Sequence, residues 1–245
     1  MSLVANEVYA SIFLALEVYN DTEPHSAAMN MAIDEALLEC AQVPSLRLYR
    51  WDHPALSFGY FGRYADVSSY APERDLVRRW TGGGIVLHGS DLTYSIVIPA
   101  PDAKFDRSPM SIYEMVHRAI RNVLVASGQA AALTTVGAVY DRRDQRDSAL
   151  IDRRHNKHAC FANPVRADVL VNGQKVAGAA QRKTRAGLLQ QGSIQHVDLA
   201  EDFGPRFADE LSSEPMAKGL DEPILNRAAE IAAQKYATPV WLCKR

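Results

Sequence analysis

Apolar residues between Ser26 and Gln42 recur at three- and four-residue steps: Met29, Ala32, Ile33, Ala36, Leu37 and Cys40. That period puts them on one face of a helix and makes Cys40 a core residue. A second helix is expected after Ser108, a fitting N-cap with Pro109 in its first turn, and it should stop at Gly128. Met115, Val116, Ala119, Ile120, Val123 and Leu124 form its buried stripe. A last helix is predicted over 224–236, with Leu225, Ala228, Ala229 and Ala232 inward.

Strands are predicted over 8–18, 45–50, 55–61, 93–99 and 192–197, where β-branched and aromatic residues concentrate. Val77 and Ile85–Leu87 flank a glycine run at Gly82, Gly83 and Gly84. Asn172-Gly173 between two apolar runs predicts a tight type I′ hairpin. Strands joined by hairpins and interspersed with helices give an α+β fold, with a mixed, largely antiparallel sheet packed by helices. The segment 141–158 alternates arginine with aspartate, holds no aromatic residue after Asp141, and reads as a mobile loop.

Composition narrows the function. The 245 residues carry a net charge of −2, which gives no general affinity for nucleic acid or an anionic membrane. The apolar run Val8–Leu16 is short, lacks a basic flank and meets Glu17, unlike a secretory leader. Three widely spaced cysteines, with no CxxC, fit a reducing cytoplasm better than a disulfide framework. His155 and His158 stand beside Cys160, but no second cysteine completes a zinc set.

Candidate chemistry lies at three places. Arg78 and Arg79 lead into Gly82-Gly83-Gly84, where exposed backbone N–H groups and guanidinium donors could hold an acyl carboxylate, an acyl phosphate or a thioester carbonyl. The alternative is a glycine-rich turn with two solvated arginines. Cys160 follows Arg153, Arg154, Lys157 and His158, a setting that favours the thiolate and so a nucleophile. A small buried apolar residue is the other reading. Lys175, between Gly173 and Gly178, could neutralise an oxyanion or phosphate, or be an exposed hairpin charge. Asp168 could hold Mg²⁺, orient Lys175, or cap the strand.

Together these blocks resemble the catalytic domain of biotin and lipoate protein ligases, in the lipoate ligase and octanoyltransferase branch. The resemblance rests on Arg78-Arg79-Trp-Thr-Gly-Gly-Gly-Ile-Val-Leu-His88 with Asp91-Leu-Thr-Tyr-Ser95, and on Cys160-Phe161 through Asp168-Val-Leu-Val-Asn-Gly-Gln-Lys175-Val-Ala-Gly178-Ala179-Ala-Gln181. The Met29–Leu38 helix and the terminal Lys235-Tyr236 with Trp241 fit the same branch. It spans 8–241 as one domain, leaving 1–7 and 242–245 as tails.

The resemblance implies acylation of a lysine on a lipoyl domain or a glycine cleavage H protein. A cysteine-dependent octanoyltransferase would take octanoyl from acyl carrier protein onto Cys160, without ATP, while Lys175 polarises the carbonyl. A lipoate ligase would activate free lipoate with ATP and Mg²⁺, Asp168 assisting the metal. In either case Arg78, Arg79, Gly82, Gly83, Gly84, His88, Gly178 and Ala179 would contact acyl group or nucleotide. Cys160-Phe161 with Pro164 favours the transferase; Gly84 and Asp168 look like the ligases. Gln191-Gly192-Ser193 departs from the usual His-Gly-Ser/Thr. Further readings are an amidotransferase acting between carrier proteins and a non-catalytic lipoyl-domain-binding paralogue. The transferase is the leading one.

Overall fold

A computed structural model describes residues 11–135 and 164–244. The loop expected over 141–158, and Cys160, lie outside the described residues. Strand β1 (Leu16–Asn20) leads to helix α1 (Ala27–Cys40), then β2 (Ser45–Tyr49), β3 (Ala55–Phe58), β4 (Asp75–Arg78), β5 (Ile85–His88) and β6 (Leu92–Pro99). Helix α2 (Pro109–Ala126) precedes β7 (Ala131–Leu133), β8 (Val169–Val171), β9 (Gln174–Lys183) and β10 (Gly187–Ile194). Helix α3 (Phe203–Leu211), β11 (Pro215–Lys218), α4 (Glu222–Ile231) and α5 (Pro239–Leu242) complete the described chain.

Eight strands form one sheet in the order β11-β1-β2-β6-β10-β9-β8-β7, and β4-β3-β5 form a second. The pairings β11/β1, β1/β2 and β3/β4 are parallel; the others are antiparallel. Both faces of the large sheet are covered, so its central strands are buried along their length. Alternate residues serve opposite layers. Leu46, Leu48, Tyr94, Ile96, Ile98 and Leu188 meet α2 and α3. Tyr49, Val97 and Leu189 meet α1 and α4.

Local chemistry explains the boundaries. Ser26 and Ser108 accept the N–H groups of Met29 and Ser111, capping α1 and α2 as their sequences require. Asn172 and Gly173 both take positive φ, +50° and +78°, as a type I′ hairpin demands. The predicted 8–18 strand is realised as Leu16–Asn20, shifted toward its C-terminal end. The strand expected at 192–197 begins earlier, at Gly187, because Thr184 closes a tight turn onto Gly187. Cys40 is exposed rather than in the core: Leu37 and Leu38 are the last buried residues of α1, and its final two residues, Glu39 and Cys40, face solvent, with Glu39 paired to Arg227.

One buried network ties α1 to the sheet. Arg47 on β2 donates to Asp21, to the Asn30 carbonyl and side chain, and to Asp34, and stacks over Tyr49. Asp34 further accepts from Tyr49, Ser95 and Gln191. Removing one partner of such a pair strands a buried charge. Arg47→Met should therefore cost about 3–5 kcal/mol of stability, read as a fall in the urea midpoint against wild type.

Candidate active site

A pocket opens between the two sheets. Small residues of the large sheet form part of its wall: Gly178, Ala179 and Ala180 on β9, Gly192 and Ser193 on β10. Ser57 of β3, Arg79 after β4, and Val86 and His88 of β5 bound it from the small sheet. Met31, Trp51 and Val86 contribute apolar surface. Gly192 keeps the wall thin, since a Cβ there would stand 2.3 Å from the Tyr94 ring.

Lys175 reaches this pocket as part of a buried ion pair. Its Nζ lies 2.7 Å from Asp168 Oδ2. The same oxygen accepts the Val165 N–H at 2.7 Å, and Tyr113 donates to Oδ1 at 2.5 Å. The Tyr113 hydroxyl in turn accepts the Ala179 N–H. Burial, followed by the Asp168 charge, pushes the Tyr113 phenol far above its ordinary range, so it stays protonated and donates. Gly178 is required where Lys175 crosses it: a Cβ there would fall 2.5 Å from Cε and 2.6 Å from Nζ. Thus Lys175 is a fixed, desolvated cation and not an exposed hairpin charge.

Behind this pair sits His117. It donates from Nδ1 to the Ala167 carbonyl at 2.7 Å and accepts at Nε2 from Tyr94 at 2.9 Å. Ala167 adopts φ +66°, a left-handed conformation that alanine avoids, and the His117 bond helps hold it. Burial lowers the His117 imidazole to about 4.

The arginines divide. Arg79 lines the pocket and donates to Ser57 and to the Gly82 and Gly84 carbonyls. Arg78 does not line it: its guanidinium donates to the carbonyls of Tyr60, Gly62, Trp241, Leu242 and Lys244, clamping the C-terminal segment. Gly82 and Gly84 present carbonyls to Arg79, while Gly83, at φ +87°, and Gly84 border a separate hollow of about 520 Å³ with Phe58, Phe61 and Val67. Gly59 is indispensable beneath the run, where a Cβ would lie 2.1 Å from the Gly83 carbonyl oxygen.

Asp168, a candidate for Mg²⁺, is fully buried with both oxygens engaged as above. These bonds orient Lys175. His88 lines the pocket, stacked on Trp51 at 4.0 Å. Ser57, Tyr113 and Trp51 also belong to the site, and sequence reading passed over them. β3 is buried along its whole length, so no alternation marked Ser57. Gln191, at the position of the departure from His-Gly-Ser/Thr, joins Thr81 to Asp34 at 2.9 and 2.7 Å.

The buried histidine sets a pH dependence. An unfolded His117 takes up its proton near pH 6.5, and the folded one only near 4. Below pH 6.5 the unfolded state therefore binds more protons, and stability falls until pH 4 by about 3 kcal/mol. His88, lowered chiefly by burial, acts in the same direction. Urea unfolding at pH 7 and pH 4.5 should show a smaller loss for His117→Gln than for wild type.

The chain is similar to several known proteins. The family model of the lipoyl protein ligase A/B catalytic domain matches residues 26–207. Octanoyltransferase LipM of Oceanobacillus iheyensis is 36% identical over 204 residues, 78% of this chain and 69% of its own. Octanoyltransferase LipM of Brevibacillus brevis is 32% identical over 278 aligned positions, covering 93% of this chain and 98% of that one. Among solved structures, lipoate-protein ligase A bound with ATP superposes with a TM-score of 0.72 at 20% identity, over 94% of this chain and 99% of that one. A bipartite lipoate protein ligase with its E2 lipoyl domain from Thermoplasma acidophilum gives 0.69 at 19%, over 94% and 96%.

Proposed function

Because the chain belongs to the lipoyl protein ligase A/B catalytic domain family, we infer that it is a protein acyltransferase of lipoate metabolism. It moves octanoyl from acyl carrier protein, through a Cys160 thioester, to the lysine of a lipoyl domain or glycine cleavage H protein. The observation that carries this reading is the buried Lys175 ammonium at an apolar pocket, its Asp168 partner held by Tyr113 and the Val165 N–H. A fixed cation in a desolvated site stabilises an oxyanion strongly, since no water must reorganise. The names of the octanoyltransferase relatives point the same way.

The chemistry is two acyl transfers. The Cys160 thiolate attacks the octanoyl thioester, the C–S bond to the carrier breaks, and the carrier leaves as its thiolate. The target lysine amine then attacks the enzyme thioester; an amide forms, the C–S bond to Cys160 breaks, Cys160 leaves as thiolate, and the proton released by the amine passes to water. Lys175 neutralises the oxygen that gains charge in each step. The acyl tail lies against Met31, Trp51 and Val86, gaining about 0.8 kcal/mol per buried CH₂.

Neither ATP nor Mg²⁺ takes part in this reading. The alternative, an ATP-dependent lipoate ligase, would place Mg²⁺ on Asp168, whose oxygens are already committed. No helix among the described residues is long and apolar enough to cross a membrane; the proposed site of action is the cytoplasm.

Cys160→Ser should abolish both turnover and the covalent octanoyl-enzyme, followed by intact mass. Full activity in that variant would remove Cys160 from the mechanism. Lys175→Ala should lower kcat by about 10²–10³-fold, measured on octanoyl transfer with circular dichroism confirming the fold. Wild-type kinetics there would overturn the site assignment.

A further inference from the structure

Three side chains at the pocket form a chain that transfer through Cys160 does not use. His88 Nε2 stands 2.6 Å from Ser57 Oγ, and His88 Nδ1 stands 2.8 Å from Asp91 Oδ2. Asp91 also accepts from Thr93, Ser193 and the Gly89 N–H. Burial disfavours its charge, but these bonds and the one from His88 outweigh burial and hold its carboxyl at about 2. Asp91 is therefore an acceptor only, and the proton of a neutral His88 lies on Nδ1. Nε2 is then bare and accepts the Ser57 O–H.

The hydroxyl has a second partner. Arg79 Nη1 donates to Ser57 Oγ at 2.7 Å. With its proton directed at His88 and one lone pair at Arg79, Ser57 keeps a lone pair for bond formation. The guanidinium beside it favours negative charge on the oxygen and on an attacked carbonyl. Ser57, His88 and Arg79 all border the same pocket. Nucleophile, base, orienting carboxylate and charge stabiliser thus stand in hydrogen-bond sequence, the arrangement that activates serine in acyl chemistry.

We propose that Ser57 is a second acyl acceptor and that Ser57, His88 and Asp91 hydrolyse medium-chain acyl thioesters when no carrier lysine is present. The proposal rests on the reading of this pocket as an acyl site. Ser57 Oγ attacks the thioester carbonyl while its proton passes to His88 Nε2. The C–S bond breaks, and the thiol leaves with that proton. Water then attacks the Ser57 ester, giving its proton to His88. The C–O bond to Ser57 breaks, the carboxylic acid departs, and Ser57 recovers the proton. Asp91 stabilises the imidazolium in both halves. Such an activity would discharge an acyl thioester that has no acceptor.

The test uses octanoyl-coenzyme A without any lipoyl domain, following thiol release and octanoate. Cys160→Ser should retain hydrolysis, and Ser57→Ala added to it should lower the rate at least about 100-fold. Independently of any variant, an octyl fluorophosphonate should modify the wild-type protein at Ser57, mapped by peptide mass. Hydrolysis indifferent to Ser57→Ala, hydrolysis no faster than in buffer, or a Ser57 peptide left unmodified would each overturn the proposal. Octanoyl transfer by wild type to an apo lipoyl domain, measured in parallel, reports separately on the acyltransferase reading.

Discussion

The Lys175 ammonium is held out of water against Asp168, and much of the surrounding sequence serves that single contact. A buried ion pair survives only when its remaining lone pairs and protons are satisfied. Tyr113 and the Val165 N–H supply the carboxylate's other bonds, and each comes from a different part of the chain. Gly178 leaves room for the lysine stem. His117 grips the left-handed Ala167 that turns the chain into Asp168. The cost of desolvating the pair is offset by these bonds, and the result is a cation fixed in position before any substrate arrives.

A second constraint joins the two sheets. Gln191 on β10 accepts from Thr81, at the start of the glycine run, and donates to Asp34 on α1. Asp34 is itself fixed by Arg47, Tyr49 and Ser95. Through this network α1, the large sheet and the arginine–glycine segment share one register. Arg79 takes its place by gripping the Gly82 and Gly84 carbonyls. The glycines thus act on the pocket through Arg79, and Arg78 acts at a distance by anchoring the C-terminal segment.

Local signals were legible where the physics is local. The serine caps of α1 and α2 and the Asn172-Gly173 hairpin depend on neighbours in sequence, and they appear as expected. Lys175, His88 and Arg79 carried chemistry that the structure brings to one pocket. Short elements were missed, the three-residue strand β7 and the exposed edge strand β11, and so was the nine-residue helix α3, although Phe203, Phe207, Ala208 and Leu211 recur at helical spacing. Partnerships across long separations were equally hidden. Nothing in the local sequence tells Arg78, with five carbonyls to bind, from Arg79, with a pocket to face. Tyr113 lies within the helix predicted after Ser108, and its bond to Asp168 spans 55 positions.

The central claim is that octanoyl passes through this protein to a lipoyl-domain lysine without ATP. The most direct measurement is intact mass of every component after incubation with octanoyl-acyl carrier protein and an apo lipoyl domain, nucleotide omitted. The account requires an octanoyl gain on the lipoyl domain and a transient one on the enzyme. No gain there, with modification appearing only when lipoate, ATP and Mg²⁺ are supplied, would contradict it.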